Sequence, residues 1–408
     1  MSKELTIENT SLPFGWEIVK LDKICDLQNG FAFKSKDYIS HSKTMNFRMS
    51  QIRPGGTIDL EKNPKFLPDD YCIKYKDYLL QEGDVVIAMT DLATETKILG
   101  VPTILPKDDR KWLQNQRVGK FSKIDFSKID LEFLKYVLTS NDVNEFYKNL
   151  GKGGLQINLR KQDILNVQIP LPPLAQQKQI VAILDISFAA IDTAKANAEQ
   201  NLQNAKELFE STKKNVFDNL EGISNKVELP YVCDNIFAGG DVPKGHYSKT
   251  ITDEYQIPII ANAVKDNGLY GFTNKVRVSK ASITIAARGS GTGHTEIRTK
   301  PFFPIVRLIV LTPNSELIKL EFLKYSIQNL DILRSGSAIP QLTVPMIKGY
   351  LILLPKLEEQ VQIVRKLNSL SIETKKLEAI YKQKIADLEE MKKSVLQKAF
   401  SGQLNTIN

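Results

Sequence analysis

The hexapeptide LEFLKY occupies residues 131–136 and occurs again, without a change, at residues 320–325, which indicates an internal repeat. Residues 158–184 also align without a gap with residues 341–367, a displacement of 183 residues with eleven identical pairs, Gln177 with Gln360 among them. Each hexapeptide is followed by a proline-containing apolar segment and then a long polar segment. A two-copy repeat of about 190 residues is far longer than the roughly 20 to 50 residues of a solenoid repeat. It predicts two units, each a domain followed by a helix.

Fainter echoes of the repeat keep their order along the chain. Residues 21–26 resemble residues 229–234, and residues 86–88 resemble residues 284–286, at displacements of 208 and 198 residues. Because the displacement shrinks along the chain, the second copy is shorter and has lost residues at several points. Related elements joined by unequal loops predict divergence where loops make contacts.

Composition bounds the class of protein. The chain has 408 residues, 42% of them hydrophobic and 25% charged, which is ordinary for a globular protein of two to three domains. No apolar run approaches the roughly 20 residues of a membrane span, and the N-terminus lacks a signal-peptide core. We therefore expect a cytoplasmic protein without a membrane partner. The cysteines and histidines are few and lack zinc-ligand spacing, which disfavours a metal site or a disulfide scaffold.

Charge gives a weak pointer to the partner. Lys and Arg number 55 against 47 for Asp and Glu, a net charge of +8, with a pI near 9.0. An excess of this size suits a polyanion but does not by itself identify one.

The first copy has the pattern of a compact α/β domain. Residues 30–33 and 83–88 are predicted strands, punctuated by glycines and prolines such as residues 54–56. Helices are predicted at residues 131–139 and 142–150. Residues 167–173 must be extended because consecutive prolines disfavour a helix.

A long helix with a narrow apolar seam follows Pro173, and a matching helix ends the chain. The first seam runs from Val181 to Val216 and the second from Ile363 to Val395, through Leu377, Lys384 and Met391. A single helix cannot bury such a stripe alone, so the two are predicted to pair. Roughly forty residues make a rod near 60 Å long. An antiparallel pair is expected to hold two similar domains about 50 to 60 Å apart, an arrangement suited to two patches on duplex DNA. Lys195 and Lys384 lie inside the seams. Each either fixes the register of the helix pair or extends its charged end out of the seam into water, and we favour the second interpretation.

The repeat, together with the junction sequences PPLAQQKQIV (172–181) and PKLEEQVQIV (355–364), resembles the specificity subunits of Type I restriction-modification systems. The opening residues 12–21 and the closing residues 395–402 are similar to the ends of that family. The resemblance covers nearly the whole chain. One departure is Ala175-Gln176 where the second copy has Glu358-Glu359, which puts the matching interface contact in doubt.

The resemblance implies two target recognition domains, each reading one half of a split double-stranded DNA site, joined by two antiparallel helices. It also implies docking of two methyltransferase subunits and, through them, of restriction subunits. S-adenosylmethionine, ATP and magnesium are expected on those partners only, and the specificity subunit itself catalyses nothing. The fold class expected is α/β (α+β), two globular target recognition domains separated by a coiled-coil pair with a pseudo-twofold internal repeat.

The domain boundaries expected from the repeat alternate recognition domains with repeated regions. Residues 1–157 and 223–340 form the recognition domains, and residues 158–222 and 341–408 the repeated regions with their spacer helices. Two alternatives remain: a single-chain DNA modification enzyme and a coiled-coil scaffold that binds only proteins.

Motifs for catalysis are weak. Residues 63–66 only approach an Asn-Pro-Pro-aromatic methyltransferase tetrad, and residues 289–293 lack the Gly-Lys-Ser/Thr ending of a P-loop. Asp69 and Asp70 with Lys74 resemble a nuclease metal site, but a solvated turn beside Pro68 explains them better.

Polar loops with Arg, Lys, amides and glycines supply the candidates for DNA contact, because such groups reach phosphates and base edges. The loop that begins at Arg288 is favoured in the second copy. Its counterpart in the first, residues 90–97, holds two acids and is expected to read different bases. The candidate DNA-binding residues are Lys34, Arg48, Gln51, Arg53, Thr90, Lys97, Lys152, Gln156, Lys244, His246, Lys265, Asn267, Arg288, Ser290, Thr292, His294 and Arg334.

Overall fold

The computed structural model of the chain describes residues 12–94, 96–150, 155–289, 291–330 and 341–404. The strands of the first half are β1 (Glu17–Lys20), β2 (Asp26–Asn29), β3 (Thr44–Phe47), β4 (Phe66–Leu67), β5 (Leu79–Leu80), β6 (Val85–Ala88), β7 (Thr90–Leu92), β8 (Pro102–Ile104), β9 (Lys111–Gln114), β10 (Val118–Ser122), β11 (Gln156–Asn158) and β12 (Gln168–Leu171). The helices of this half are α1 (Tyr71–Lys74), α2 (Leu131–Leu138), α3 (Asn141–Leu150), α4 (Lys161–Leu165) and α5 (Leu174–Leu220).

The second half repeats this series with fewer elements. Its strands are β13 (Asn225–Glu228), β14 (Cys233–Ala238), β15 (Ile257–Ile260), β16 (Leu269–Thr273), β17 (Ser282–Ile285), β18 (Thr295–Arg298), β19 (Phe303–Pro304), β20 (Ile309–Pro313) and β21 (Leu351–Leu354). Its helices are α6 (Leu229–Val232), α7 (Leu320–Gln328), α8 (Val344–Lys348) and α9 (Leu357–Phe400).

Contacts between residues divide the chain into two compact units. Unit 1 combines residues 1–197 with residues 384–408, and unit 2 consists of residues 198–383. Each unit therefore holds one α/β domain together with part of α5 and part of α9.

The main sheets of the two units have the same strand order. In unit 1 the order is β2-β10-β6-β8 and in unit 2 it is β14-β20-β17-β18, with antiparallel neighbours throughout. In addition, β1 pairs with β12 and β13 pairs with β21, so the strand that opens each copy lies beside the strand that precedes its long helix. The internal repeat read from the sequence is therefore a repeat of topology.

The second sheets of the two units show where the copies diverge. In unit 1 the order is β4-β3-β9-β5, and in unit 2 it is β16-β15-β19; each has one parallel pair, β3 with β9 and β15 with β19. Among the described residues of unit 2, no strand takes the place of β5. The shorter second copy thus lost an edge of this sheet.

A buried glutamine ties the long helix to the domain in each unit. The Gln177 side chain is fully buried, donates to the carbonyls of Lys128 (2.8 Å) and Pro172 (2.7 Å), and accepts the Asp130 amide N–H (2.8 Å). Its three bonds hold the start of α5 against the start of α2.

The Gln360 side chain is equally buried and makes the corresponding bonds in unit 2. It donates to the carbonyls of Leu317 and Pro355, each at 3.0 Å, and accepts the Lys319 amide N–H at 2.8 Å. The identical glutamines are therefore conserved contacts of the repeat.

The helices α5 and α9 run antiparallel within unit 1. Lys195 Nζ lies 2.7 Å from Glu389 Oε1, and Lys392 Nζ lies 2.9 Å from Asp192 Oδ1, so positions rise on one helix as they fall on the other. Leu184 and Leu396 belong to the same apolar core. In unit 2, Phe217 of α5 and Leu367 of α9 likewise share one core. The predicted pairing of the helices is confirmed, and Lys195 reaches across to the other helix.

Two details of the prediction were wrong. The seam of α9 does not follow Leu377, Lys384 and Met391, which are exposed; it continues through residues 374, 378, 381, 385 and 388. Residues 30–33 are not a strand, and Phe31 makes only an isolated bridge with Asn115. A Cβ on Gly30 would lie 2.1 Å from the Asn115 carbonyl oxygen, so a close crossing of the backbone interrupts the strand there. Residues 54–56 form a 3-10 turn, in agreement with their predicted place between strands.

The junction that departs from the expected pattern uses a different contact in each copy. Trp16 Nε1 donates to Gln176 Oε1 at 2.8 Å, whereas Glu359 Oε2 accepts the Lys356 amide N–H at 3.1 Å. Gln176 therefore ties the opening segment of the chain to α5.

Candidate DNA interface

A short antiparallel pair, β7 with β11, organises the candidate surface of unit 1. Thr90 lies opposite Asn158 in this pair, and its hydroxyl donates to Asn158 Oδ1 at 2.8 Å. The Leu159 amide N–H donates to the Met89 carbonyl at 2.7 Å and continues the pairing. The segment that follows residues 151–154 is thus joined to the end of the central strand β6.

The loop after β7 is built around Asp91. The Asp91 side chain is buried, and its Oδ2 accepts the amide N–H groups of Lys97 (2.7 Å) and Ile98 (2.6 Å). Burial and these bonds commit Asp91 to holding the loop. Glu95, the other acid, lies outside the described residues.

A polar groove opens beside this pair, with a volume of about 770 Å³. It is lined mainly by amide and cationic side chains and by a few apolar groups. The polar residues are Asn29, Thr90, Gln116, Arg117, Asn158, Arg160, Lys161 and Gln162. Amides and guanidinium groups are the side chains that form bidentate hydrogen bonds with base edges.

The cations of this groove differ in whether a carboxylate pairs with them. Arg160 pairs with the buried Asp163, whose Oδ1 lies 2.7 Å from Arg160 Nη2. Lys161 pairs with Asp26 at 2.5 Å. Arg117 is exposed, and no ion pair is found for its side chain among the described residues. The groove therefore presents a net positive charge.

These ion pairs lower the pKa values of both carboxyl groups. The hydrogen bond from Lys161 is the main cause that lowers the pKa of Asp26. Burial raises the pKa of Asp163, but the hydrogen bonds and charge of Arg160 outweigh it, and the net shift is downward. Both carboxylates therefore stay ionised at neutral pH and keep their cations in place.

In unit 2 the equivalent backbone pair carries different side chains. Arg288 forms an isolated antiparallel bridge with Gln341, and the Leu342 amide N–H donates to the Ala287 carbonyl at 2.9 Å. This is the place that Thr90 and Asn158 occupy in unit 1, as the displacements of the repeat predict. Arg288 is exposed, and its Nη2 lies 3.5 Å from Gln341 Oε1.

Asn262 draws a second loop of unit 2 onto the Arg288 loop. Its Nδ2 donates to the Arg288 carbonyl at 3.1 Å, and its Oδ1 accepts the Ala287 amide N–H. Arg298, at the end of β18, also holds the loop that carries Asn262 and Asn267, because its Nη2 donates to the Asn267 carbonyl at 2.7 Å. The structure therefore brings the loops that carry Lys265, Asn267, Arg288 and His294 to one end of the unit 2 sheets.

Backbone conformation explains the polar composition of these loops. Asp266 and Asn267 have positive φ values of 50° and 52°, a region in which Asp and Asn are tolerated better than most residues. Gly289 and Gly293 also have positive φ, which suits glycine. His294 Nε2 lies 3.0 Å from Glu296 Oε1, so its ring is oriented by a neighbouring acid.

Lys244 and His246 lie on a separate turn that packs along β16. The His246 carbonyl accepts the Thr273 hydroxyl at 2.6 Å. Tyr247 stacks near Tyr270 with ring centroids 5.9 Å apart, and Lys249 Nζ lies 3.3 Å from the Tyr270 centroid. Both predicted side chains are exposed.

Three predicted contact residues are corrected because their side chains are buried and bonded. Gln51 donates to the Lys62 carbonyl at 2.8 Å and accepts the Arg48 amide N–H. Thr90 is committed to Asn158, as described above, and Thr292 donates to the Gly289 carbonyl at 2.7 Å. Arg48 lies just beyond β3, which ends at Phe47, and a 3-10 turn follows it.

The other candidates stay predictions. Arg48 and Arg53 are partly exposed, and Lys34, Lys97 and Gln156 are exposed in unit 1. Lys152, Ser290 and Arg334 lie outside the described residues. The sequence-based list missed Arg117, although its place in the short connection between β9 and β10, after Asn115 and Gln116, is a signal for an exposed loop cation.

The part of the chain that the structure describes offers neither a metal site nor a membrane span. That part holds no group of three or more His, Cys, Asp or Glu side chains able to bind a metal ion. Its helices are also too short or too polar to cross a membrane. Burial raises the pKa of Cys25 and of Cys233 to about 12, so both thiols stay protonated at neutral pH.

The fold and these loops define a class of protein: two related α/β units, joined through shared long helices, that present polar surfaces of different composition. The family described as the Type I restriction modification DNA specificity domain matches the chain twice, at residues 13–204 and 224–389. The chain therefore belongs to this family, and the resemblance noted in its sequence is confirmed.

Curated relatives agree with this assignment. The chain is 32% identical over 194 residues to the Type I restriction enzyme MjaVIII specificity subunit of Methanocaldococcus jannaschii, a match that spans 46% of this chain and 43% of that protein. It is 24% identical over 456 residues to the EcoBI specificity subunit of Escherichia coli, covering 99% of this chain and 90% of the relative.

Solved structures share the fold. A chain from a study of complex assembly and conformational transition in a type I R-M system superposes with a TM-score of 0.78 at 21% identity, covering 97% of this chain and 100% of the other. The HsdS subunit from Thermoanaerobacter tengcongensis gives a TM-score of 0.59 at 20% identity, with 97% and 99% covered. The predicted mixed α/β fold with long helices is confirmed.

Proposed function

We propose that this chain is the DNA sequence-recognition subunit of a Type I restriction-modification complex and reads a split, asymmetric target. One recognition domain, residues 1–157, would bind one half-site, and the other, residues 223–340, would bind the second. The observation that carries the proposal is the pairing of one topology with two different loop surfaces. Because the two domains share one framework, they would bind DNA in comparable ways. Because their side chains differ at equivalent positions, they would recognise different base sequences.

Duplex DNA is the ligand that the groove side chains suit. Arg117 and Arg160 offer guanidinium groups, and Gln116, Asn158 and Gln162 offer amides, the combination that binds phosphates and base edges. In unit 2 the loops that carry Lys265, Arg288 and His294 supply a comparable set of exposed donors. The exposed members of the predicted list remain the proposed DNA contacts.

The chain is proposed to be non-catalytic and to act with partners. Two methyltransferase subunits would dock on it, and restriction subunits would join through them. S-adenosylmethionine, ATP and magnesium would be bound by those subunits. The repeated regions, residues 158–222 and 341–408, are the proposed docking segments, because they contain the most similar sequence of the two copies.

Methylation mapping tests the proposal directly. The full chain would be co-produced with a methyltransferase subunit of a Type I system, and modified bases in host DNA would be located by sequencing. We expect one motif of two unlike half-sites separated by a fixed gap of unspecified bases. A continuous motif, or methylation without any motif, would contradict the proposal.

Binding measurements separate the alternatives. A scaffold that binds only proteins would show no DNA affinity, whereas a specificity subunit should bind the split-site duplex with an affinity that falls steeply with salt. Purified chain incubated with labelled S-adenosylmethionine and DNA should transfer no methyl group. Transfer by the chain alone would favour a single-chain modification enzyme.

A further inference from the structure

The two arginines that line the groove of unit 1 are held in opposite ways. Arg160 Nε donates to Asp163 Oδ2 at 3.1 Å, and its Nη2 donates to Asp163 Oδ1 at 2.7 Å. The Arg160 side chain is nonetheless 76% exposed, while that of Asp163 is only 8% exposed. A buried carboxylate therefore fixes an exposed guanidinium. Arg117 has no such restraint among the described residues.

Asp163 also fixes the backbone from which Arg160 extends. Its Oδ2 accepts the Arg160 amide N–H at 2.8 Å, so one carboxylate holds both ends of this arginine. A guanidinium has five N–H donors in a planar fork, and Asp163 uses two of them. Three donors remain, and two of them, one on Nη1 and one on Nη2, form an edge directed away from Asp163. That edge matches a pair of acceptors in one plane, such as O6 and N7 of guanine.

Charge distinguishes a base contact from a phosphate contact in this groove. The Arg160 and Asp163 pair has no net charge, so its long-range attraction for phosphate is weak. Arg117 carries an uncompensated positive charge, which suits a phosphate oxygen. The amides of Gln116, Asn158 and Gln162 share the groove with Arg160, and amides read bases through paired hydrogen bonds.

Resting on the proposed function, we infer that Arg160 recognises a guanine in the half-site read by unit 1, that Asp163 is its positioning residue, and that Arg117 binds the DNA backbone. The repeat sharpens this assignment. The residues that align with Arg160 and Asp163 in the second copy are Thr343 and Met346, where Thr343 Oγ1 accepts the Met346 amide N–H at 3.4 Å. In unit 1 the Asp163 side chain accepts the Arg160 N–H, whereas in unit 2 the Thr343 side chain accepts the Met346 N–H, so both helices are capped by reciprocal bonds. Thr343 has no guanidinium, so unit 2 has no arginine fork for a guanine at this position.

The test compares three variants of the full chain, each co-produced with its methyltransferase: Arg160→Ala, Asp163→Asn and Arg117→Ala. Motifs are obtained by methylation mapping, and affinities by titration of the mapped duplex at several salt concentrations. Arg160→Ala should remove the preference for guanine at one position of one half-site, a loss of about 10- to 100-fold in discrimination. The other half-site should stay as in the unmodified chain, and so should the slope of affinity against salt in Arg160→Lys, which keeps the charge that neutralises Asp163.

The two companion variants separate positioning from charge. Asp163→Asn keeps an acceptor for the backbone N–H but releases the guanidinium, so the guanine preference should weaken while affinity for unrelated duplexes rises. Arg117→Ala should leave the motif intact and lower the affinity for all duplexes alike. The slope of log affinity against log salt should fall by about the amount that one phosphate contact contributes. Arg160→Lys, which keeps the charge without the fork, should lose the guanine preference like Arg160→Ala.

Each possible result decides the inference. An unchanged motif in Arg160→Ala, or a guanine preference retained in Arg160→Lys, would overturn it and make Arg160 a backbone contact. Failure of the proposed function looks different, because the unmodified chain would then give no split motif. Hydrogen exchange of each variant checks that unit 1 is folded, and Asp163→Asn, which retains the backbone bond, keeps the test valid if another variant is unstable.

Discussion

Units 1 and 2 share their buried contacts and differ in the groups they expose. Gln177 and Gln360 make the same three hydrogen bonds, and the main sheets have the same order. At the equivalent loop position, unit 1 has the Arg160 and Asp163 pair, whereas unit 2 has Thr343. The comparison shows that a duplicated domain can keep its framework through bonds that few other residues can make, while its loop chemistry changes freely.

The largest effect is expected from removing the shared glutamines. Gln177→Ala leaves one N–H and two carbonyls of unit 1 without their partner, and each unsatisfied buried group costs about 1 to 3 kcal/mol. We expect the free energy of unfolding of unit 1 to fall by about 3 kcal/mol or more, and Gln360→Ala to do the same to unit 2. Hydrogen exchange followed by mass spectrometry assigns the loss to a unit.

Matched controls lie two residues further along each helix. Gln179 and Gln362 are exposed members of the same repeat, and their replacement by Ala should change neither unit measurably. If Gln177→Ala loosened unit 2 as much as unit 1, the glutamine would not be a local contact of one copy.

A second shared contact is a close crossing of the backbone at glycine. A Cβ on Gly30 would lie 2.1 Å from the Asn115 carbonyl oxygen, and one on Gly239 would lie 2.7 Å from the Ile305 nitrogen. Overpacking of this kind costs about 1 to 3 kcal/mol. Gly30→Ala should therefore destabilise unit 1 by about 3 kcal/mol, and Gly239→Ala should destabilise unit 2 by somewhat less, as measured by denaturant unfolding.

Gly349→Ala is the control for this pair. Its Cβ would lie 3.7 Å from the nearest atom, an ordinary contact, so stability should be nearly unchanged. Equal tolerance of Ala at Gly30 and Gly349 would show that the crossing is not a constraint.

These shared contacts also explain what the sequence could and could not predict. The repeat, the extended segment before each long helix and the pairing of the helices follow from identical residues and apolar spacing. The strand predicted at residues 30–33 was wrong because the Gly30 crossing is a contact between segments distant in sequence. The predicted seam of α9 was right at Thr374, Tyr381 and Leu388 but wrong by one position at Leu377, Lys384 and Met391, because apolar residues such as Leu377 and Met391 face solvent.

The candidate site was predicted less well than the fold. Polarity marks Gln51, Thr90 and Thr292 as readily as Arg288, and only hydrogen-bond partners show that the first three hold loops. Asp91 seemed a surface acid in the sequence, yet it organises a turn through backbone N–H groups. Arg117 and the Asp163 support of Arg160 were missed, since the groove is assembled from four separate segments of the chain.

The repeated tyrosine tests how acceptor charge alters a shared contact. Tyr136 donates to the Asp185 carboxylate in unit 1, and Tyr325 donates to Asn368 Oδ1 at 2.6 Å in unit 2. Burial, and then the Asp185 carboxylate, raise the pKa of Tyr136. Because hydrogen bonds to charged groups are stronger, Tyr136→Phe should cost about 1 to 2 kcal/mol and Tyr325→Phe about 1 kcal/mol.

Double substitution cycles with Asp185→Asn and Asn368→Ala isolate these two bonds. In unit 1 the Asp185→Asn variant should bring the cost of Tyr136→Phe down to that of Tyr325→Phe. A cost that does not change would mean that the tyrosine hydroxyl contributes through other contacts.

The smallest effect concerns acid stability, where only unit 1 has the Arg160 and Asp163 pair. The folded pKa of Asp163 lies below its ordinary value of 3.8. The stabilisation is therefore complete above that value and is lost as the pH falls through the lower folded pKa. Since Arg160 is exposed, we expect less than about 1 kcal/mol. The free energy of unfolding of unit 1 would be measured between neutral and strongly acidic pH. This contribution should disappear at acidic pH in the unmodified chain, and Asp163→Asn should show no such loss. Met346→Leu, an uncharged change at the equivalent position of unit 2, is the control. An equal acid loss in both chains would mean that other carboxylates of unit 1, such as Asp26, dominate its acid unfolding.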